Sequence, residues 1–212
     1  MKIVVYIVVC LLAISCSKEK DGSKPAILSL PASFENTKEI RVPDATMFTS
    51  LCGNKTKPSV VESIIAIDKS GTIKNVDKFS IELDLSHNAG GDLVVELIAP
   101  SGKSFGLLNR IGSTENDGCG IDVNFIGGNK LTFTSNQSFP AVSGSSGQII
   151  GTGIYHATQG STSFPNVIML GSGVSLSNEN IYGNWKLKVY DYGVGTSGSL
   201  VSWKLLFDVG VF

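Results

Sequence analysis

The chain has 212 residues, 24 of them glycine, with 17% charged residues and a net charge of −1. That length supports one substantial hydrophobic core. The near-neutral balance lacks the basic face that phosphate-backbone binding requires, so nucleic acid is not an expected partner.

The N-terminus reads as a targeting segment. Lys2 precedes the uncharged apolar run Ile3 to Ile14, which is too short to span a bilayer and suits the core of a signal peptide. It ends in Leu12-Ala13-Ile14-Ser15-Cys16, which resembles a bacterial lipobox and implies lipidation of Cys16. The alternative is an ordinary secretory signal in which Cys16 is incidental. Ser17 to Lys24 contains no apolar residue and is expected to be a solvated tether. Its charged start is similar to the surface-export signals of Bacteroidetes lipoproteins, implying a lipid-anchored, outward-facing place on a bacterial outer membrane. The periplasmic face and secretion are the alternatives. Residues 25–45, punctuated by Pro25, Pro31 and Pro43, read as an extended linker or an edge strand. The expected division is therefore a signal over 1–15, a lipidated cysteine and linker over 16–45, and a folded domain over 46–212.

From residue 58 the chain reads as strands. Ser59 to Asp68 is rich in Val and Ile, Gly71 interrupts it, and Ile73 to Val76 follows. Phe79, Ile81, Leu83 and Leu85 then alternate with Lys78, Ser80, Glu82 and Asp84, the period of a half-buried strand. His87 to Gly91 supplies turn residues, and Asp92 to Ile98 resumes with Leu93, Val95 and Leu97 on one face. Pro100-Ser101-Gly102 stops this run. The pattern predicts a β-hairpin, or a strand pair bridged by a short loop.

Phe105 to Leu108 is short and apolar, Arg110 to Gly120 is a polar loop, and Ile121 to Phe125 and Lys130 to Thr134 alternate. Residues 135–166 are dominated by Ser, Gly, Thr and Pro, with Gln148 to Ile150 as one apolar island, and read as a long surface connection. Leu170 to Ile181 reads as a second. Near the C-terminus Trp185, Leu187 and Val189 alternate with Lys186, Lys188 and Tyr190. After the turn Tyr192 to Gly198, Val201, Trp203, Leu205 and Phe207 are expected to face inward, forming a second hairpin. No amphipathic helix of ten residues is evident. Short strands with glycine-rich turns predict an all-β sandwich.

Cys52 and Cys119, each beside glycine, remain after Cys10 and Cys16 are assigned to the signal and the lipid. They form either a disulfide closing a long loop or two buried thiols. With only His87 and His156 besides, they make no zinc spacing.

Two stretches carry a resemblance. The first is His87, Gly91-Asp92-Leu93 and Pro100-Ser101-Gly102; the second is Gly183-Asn184-Trp185-Lys186-Leu187, Val189 and Asp191, followed by Gly198, Leu200 and Ser202-Trp203-Lys204-Leu205. Together they resemble the P domain (Homo B domain) of proprotein convertases over about residues 58–208. The resemblance implies a jelly-roll β-sandwich. It also implies structural roles for His87, Gly91, Asp92, Leu93, Pro100, Gly102, Gly183, Trp185, Asp191 and Trp203.

A P domain is an accessory to a subtilisin-like catalytic domain, and no such catalytic domain is expected in this chain. Gly195-Thr196-Ser197-Gly198 superficially matches a subtilase nucleophile motif, but a turn between strands is not the helix start that nucleophile needs. No enzymatic activity is expected. Structural calcium is the one cofactor the resemblance raises, with Asp92, Asp122 and Asp191 as its ligands; the alternative is that Asp92 and Asp191 cap turns. The expected function is a non-catalytic surface module binding a protein or glycan; Phe139, Tyr155 and Phe164 of the 135–166 connection are either available to a ligand or packed under the loop. The alternative is an accessory module acting in trans with a separate subtilisin-like protease.

Overall fold

A computed structural model describes residues 24–162, 164–172 and 175–212. The signal segment, Cys16 and residues 17–23 of the tether lie outside the described residues. In chain order the strands are β1 (Ala32–Asn36), β2 (Ile40–Val42), β3 (Thr46–Met47), β4 (Thr56–Lys57), β5 (Ser59–Ile67) and β6 (Phe79–Ser86). They continue as β7 (Leu93–Ile98), β8 (Ser104–Asn109), β9 (Lys130–Thr134), β10 (Gly153–His156), β11 (Thr158–Gln159), β12 (Gly183–Asp191) and β13 (Gly198–Phe207). One sheet runs β1-β13-β6-β9-β10, with β2 also on β13; the other runs β11-β8-β7-β12-β5. The two sheets pack face to face as the expected all-β sandwich.

Alternation places the core. Ile81, Leu83 and Leu85 of β6 and Trp203 and Leu205 of β13 face Leu93, Val95 and Leu97 of β7 and Trp185, Leu187 and Val189 of β12, all essentially without solvent contact. Each indole N–H finds an acceptor: Trp185 Nε1 donates to Ile181 O at 2.9 Å and Trp203 Nε1 to Ser63 Oγ at 2.9 Å. Burying two such rings therefore strands no polar atom.

Neither expected hairpin is one. β6 pairs with β9 and β13 in the first sheet, while β7 pairs with β8 and β12 in the second. Likewise β12 belongs to the second sheet and β13 to the first. Each pair is an arch that crosses the sandwich. Neighbouring strands lie about 4.8 Å apart but stacked sheets about 10 Å, so the crossing needs a longer connection than a hairpin turn. The true hairpin comes one turn later, where Ala99 and Gly102 close the turn between β7 and β8 with an N–H···O bond of 2.9 Å.

Other expectations need correction. Within 135–166, β10 pairs parallel to β9 and β11 parallel to β8, so the stretch adds strands to both sheets. A register shift between Leu200 and Ser202 puts Leu200 in the core in place of Val201. Of the two readings of residues 25–45, the edge strand applies over β1 and β2, both of which pair with β13. Between them, the Asn36 side chain donates to Ile64 O of β5 at 2.9 Å, and Ser59 Oγ donates to Pro43 O at 2.5 Å.

Candidate functional site

The two arches lie side by side, because β6 pairs antiparallel with β13 and β7 with β12. Their loops, residues 87–92 and 192–197, therefore share one end of the sandwich. His87 continues the inward phase of Phe79, Ile81, Leu83 and Leu85, and Asp191 that of Trp185, Leu187 and Val189. Both are buried, and His87 Nε2 lies 3.1 Å from Asp191 Oδ2. The Ala89 N–H donates to His87 Nδ1 at 3.1 Å. A ring nitrogen that accepts carries no proton, so the network assigns the neutral tautomer with Nε2–H donated to Asp191. Asp191 Oδ1 accepts from the Gly193 N–H at 2.9 Å.

Asp92 sits next in the cluster. Its Oδ1 accepts from the Gly120 N–H at 2.9 Å, and its backbone O accepts from the Tyr192 N–H at 3.1 Å. Burial pushes the Asp92 carboxyl up to about 6; the Gly120 bond opposes this, and the charges of Asp191 and Asp122 add to it. Gly91 and Gly120 meet backbone against backbone, and a Cβ on either would clash with the other segment.

Cys52 and Cys119 are joined as a disulfide with Cα atoms 5.0 Å apart, tying the 46–52 segment to the 110–120 loop. Thr56 Oγ1 adds bonds to Gly53 O and Tyr192 O. The 110–120 loop is wound around its own Arg110, which is fully buried. The guanidinium donates to Asn116 O (3.0 Å), Phe164 O (3.2 Å), Ser113 Oγ (3.1 Å) and Gly118 O. Among the described residues Arg110 Nε has no partner, and burial lowers the pKa of the group, with Asp92, Tyr192 and Asp117 opposing that shift. Carbonyl oxygens, rather than a carboxylate, carry its charge.

The remaining motif residues support the frame. Leu93, Trp185 and Trp203 are core. Gly102 (φ 90°) completes the β7–β8 turn, and Gly183 (φ 121°) lies against Pro100.

The three carboxylates expected to hold calcium do not gather. Among the described residues the one set of three potential ligands within 4.8 Å of each other is Cys52, Asp92 and Cys119, and both sulfurs are in the disulfide. Asp122 is exposed, and Asp92 and Asp191 accept backbone N–H bonds in turns. Calcium takes about 6–8 oxygens, so these residues do not fit it as placed. Nor does Ser197 meet a histidine. It is exposed and accepts a 3.4 Å bond from Arg41, while both ring nitrogens of His87 are occupied elsewhere.

Of the two readings of the loop aromatics, packing under the loop applies to Tyr155 and Phe164. Tyr155 packs against the core near Phe133 and donates to Gly151 O at 2.9 Å. Phe164 lies between Arg110 and Tyr192. His156 belongs to β10, with Nδ1 at 2.6 Å from Phe139 O. In the sequence Arg110 reads only as the start of a polar loop, with no buried role. Its signal was a lone cation one residue past the apolar run Phe105 to Leu108, after Asn109 and before Ile111-Gly112.

Among the described residues no helix is long and apolar enough to cross a membrane. The chain is similar, at 25% identity over 174 residues, to a transglutaminase-activating metalloprotease of Streptomyces mobaraensis; the match takes in 82% of this chain and 15% of that protein. A serine protease of Aeromonas sobria matches structurally with a TM-score of 0.36 and 16% identity, over 85% of this chain and 28% of that one. The complex of that protease with a chaperone gives a TM-score of 0.34, 15% identity and 27% coverage of its chain. This chain thus spans under a third of each of these proteins. The proprotein convertase P-domain model matches residues 76–140 and 156–207, over half the chain, and the protein belongs to that family.

Proposed function

We propose that this chain is a non-catalytic accessory module that holds a protein partner, a separate protease, and is carried on a bacterial outer surface by lipid on Cys16. One observation carries the reading. The side chains that could do chemistry at the arch end (His87, Asp191, Asp92, Arg110) spend their bonding capacity inside the fold. They rigidify a scaffold and present no nucleophile with a base. The family assignment and a relative named as a metalloprotease support the choice of partner. A glycan on the 135–166 aromatics has less support, since Tyr155 and Phe164 face inward partners.

The test is affinity capture from envelope extract of the native cells, with bound proteins identified by mass spectrometry. A specifically retained protease whose melting temperature rises in the complex supports the reading. Peptide hydrolysis by the isolated protein, abolished in Ser197→Ala, would overturn it. Anchoring is tested separately: Cys16→Ala should move the protein from the membrane fraction to the soluble one.

A further inference from the structure

The outer face of the second sheet bears one half-buried acid that the fold leaves without a cation. Glu96 stands across from Lys188 in the β7–β12 register. Lys188 turns away to Glu62 (3.8 Å), as does Lys186 (3.4 Å). Among the described residues no Lys, Arg or His nitrogen lies within 4.0 Å of the Glu96 carboxylate.

Glu96 lines a cavity of about 180 Å³ with Val94 and Tyr190 from the sheet, Tyr192 from the loop that follows β12, and Pro165 and Val167 from the facing loop. The two tyrosine rings are 6.3 Å apart and inclined by 36°. Phe164 holds Tyr192 edge-on at 5.5 Å, and the Arg110 guanidinium sits 5.8 Å from the Phe164 ring. The same aromatic row therefore already supports one cation from behind.

A carboxylate beside two tyrosine rings, one of which hydrogen-bonds it through its phenol, attracts a planar or tetrahedral cation through its remaining lone pairs, and the negative potential of the rings adds to this. The volume falls below the ~300–1,000 Å³ of ordinary small-molecule pockets, so it admits the end of one side chain rather than a whole ligand. We infer that this pocket receives the cationic end of an arginine or lysine side chain presented by the partner protein. The inference rests on the reading of the chain as a protein-binding accessory module.

The experiment titrates the full chain with N-acetyl-arginine amide and with its neutral citrulline counterpart, followed by NMR. The expected result is saturable binding of the arginine compound that weakens with salt, shifts at Tyr190 and Tyr192, and no binding of citrulline. Glu96→Gln should weaken it at least about tenfold. Asn166→Arg, at an exposed position on the cavity wall, should block it without touching the acid. Equal affinity for citrulline, displacement by an uncharged oligosaccharide, or indifference to both substitutions would overturn the inference. If Glu96→Gln loses arginine binding yet captures the protease undiminished, the pocket's role in partner binding fails and the accessory reading stands. If arginine binds normally but no protease is captured, the accessory reading alone fails.

Discussion

At one end of the sandwich Phe79 packs on Trp185 at 5.5 Å and on Phe207 at 5.1 Å, with Phe34 and Phe212 against Phe207. At the other end His87, Asp191, Asp92 and Arg110 are buried beside a disulfide. The first end is held by removing apolar area from water, a force indifferent to protonation. The second crosses between sheets twice in adjacent loops, so its backbone turns expose many N–H and C=O groups that strand ladders cannot satisfy. Buried side-chain acceptors fill that need: Asp191 for Gly193, Asp92 for Gly120, His87 for Ala89. The lesson is that an arch is expensive in polar valences, and the P-domain motif residues of the arch end are largely the groups that supply them.

That contrast can be broken from either side. Phe207→Ala should cost about 3–5 kcal/mol in urea unfolding, by transfer plus cavity, and equally at pH 5 and pH 7. Removing the disulfide with Cys52→Ser and Cys119→Ser together should cost about 4 kcal/mol, because the cross-link spans 67 residues of sequence and restricts the unfolded chain accordingly. Asp191→Ala leaves the His87 Nε2–H and Gly193 N–H without acceptors in a dry site and should cost about 3 kcal/mol; Asp191→Asn, which can still accept from Gly193, should cost less.

Asp92 sharpens the comparison through pH. Its folded-state value of about 6 lies above the ordinary 3.8, so the folded protein binds the proton more tightly than the unfolded chain. The penalty for its charge is absent below the unfolded value, grows as pH rises from about 4 to 6, and is complete above that. Stability should therefore fall over this interval by roughly 2–3 kcal/mol from this group. Asp92→Asn should flatten that slope, while Phe207→Ala leaves it unchanged; chemical denaturation across pH decides. The smallest expected effect is none: a chelator or added calcium should leave the melting temperature in place, and a calcium-dependent rise would show that the arch-end carboxylates rearrange to bind it.

Much of this was legible in the sequence. The alternation of β6, β7, β12 and β13 placed the core, and the motif residues His87, Asp92 and Asp191 fall where the arches meet. Hairpin and arch were not distinguishable, because period two records which face is buried and not which neighbour is paired. One signal went unused: His87 and Asp191 each continue the inward phase of a buried strand, so two polar groups had to meet inside. β10 and β11 escaped notice because they are short, only partly buried and paired in parallel to distant strands. Glu96 was visible as the lone charge between Val95 and Leu97, but nothing linear brings Tyr190, Tyr192 and Pro165 to it.

The Asn36 side chain bonded to Ile64 O, and the two short strands on β13, bear on self-association. β5 is nine residues long and exposes Val60 and Ile64, which makes it a template for pairing with another molecule. The segment from Ala32 to Pro43 covers β13 with both of its strands and reaches β5 through its Asn36 and Pro43 contacts. It acts as a guard over the open side of both sheets. A fragment begun at residue 46 would keep the arch end and the core yet lose that guard, and its failure would take the form of aggregation rather than unfolding.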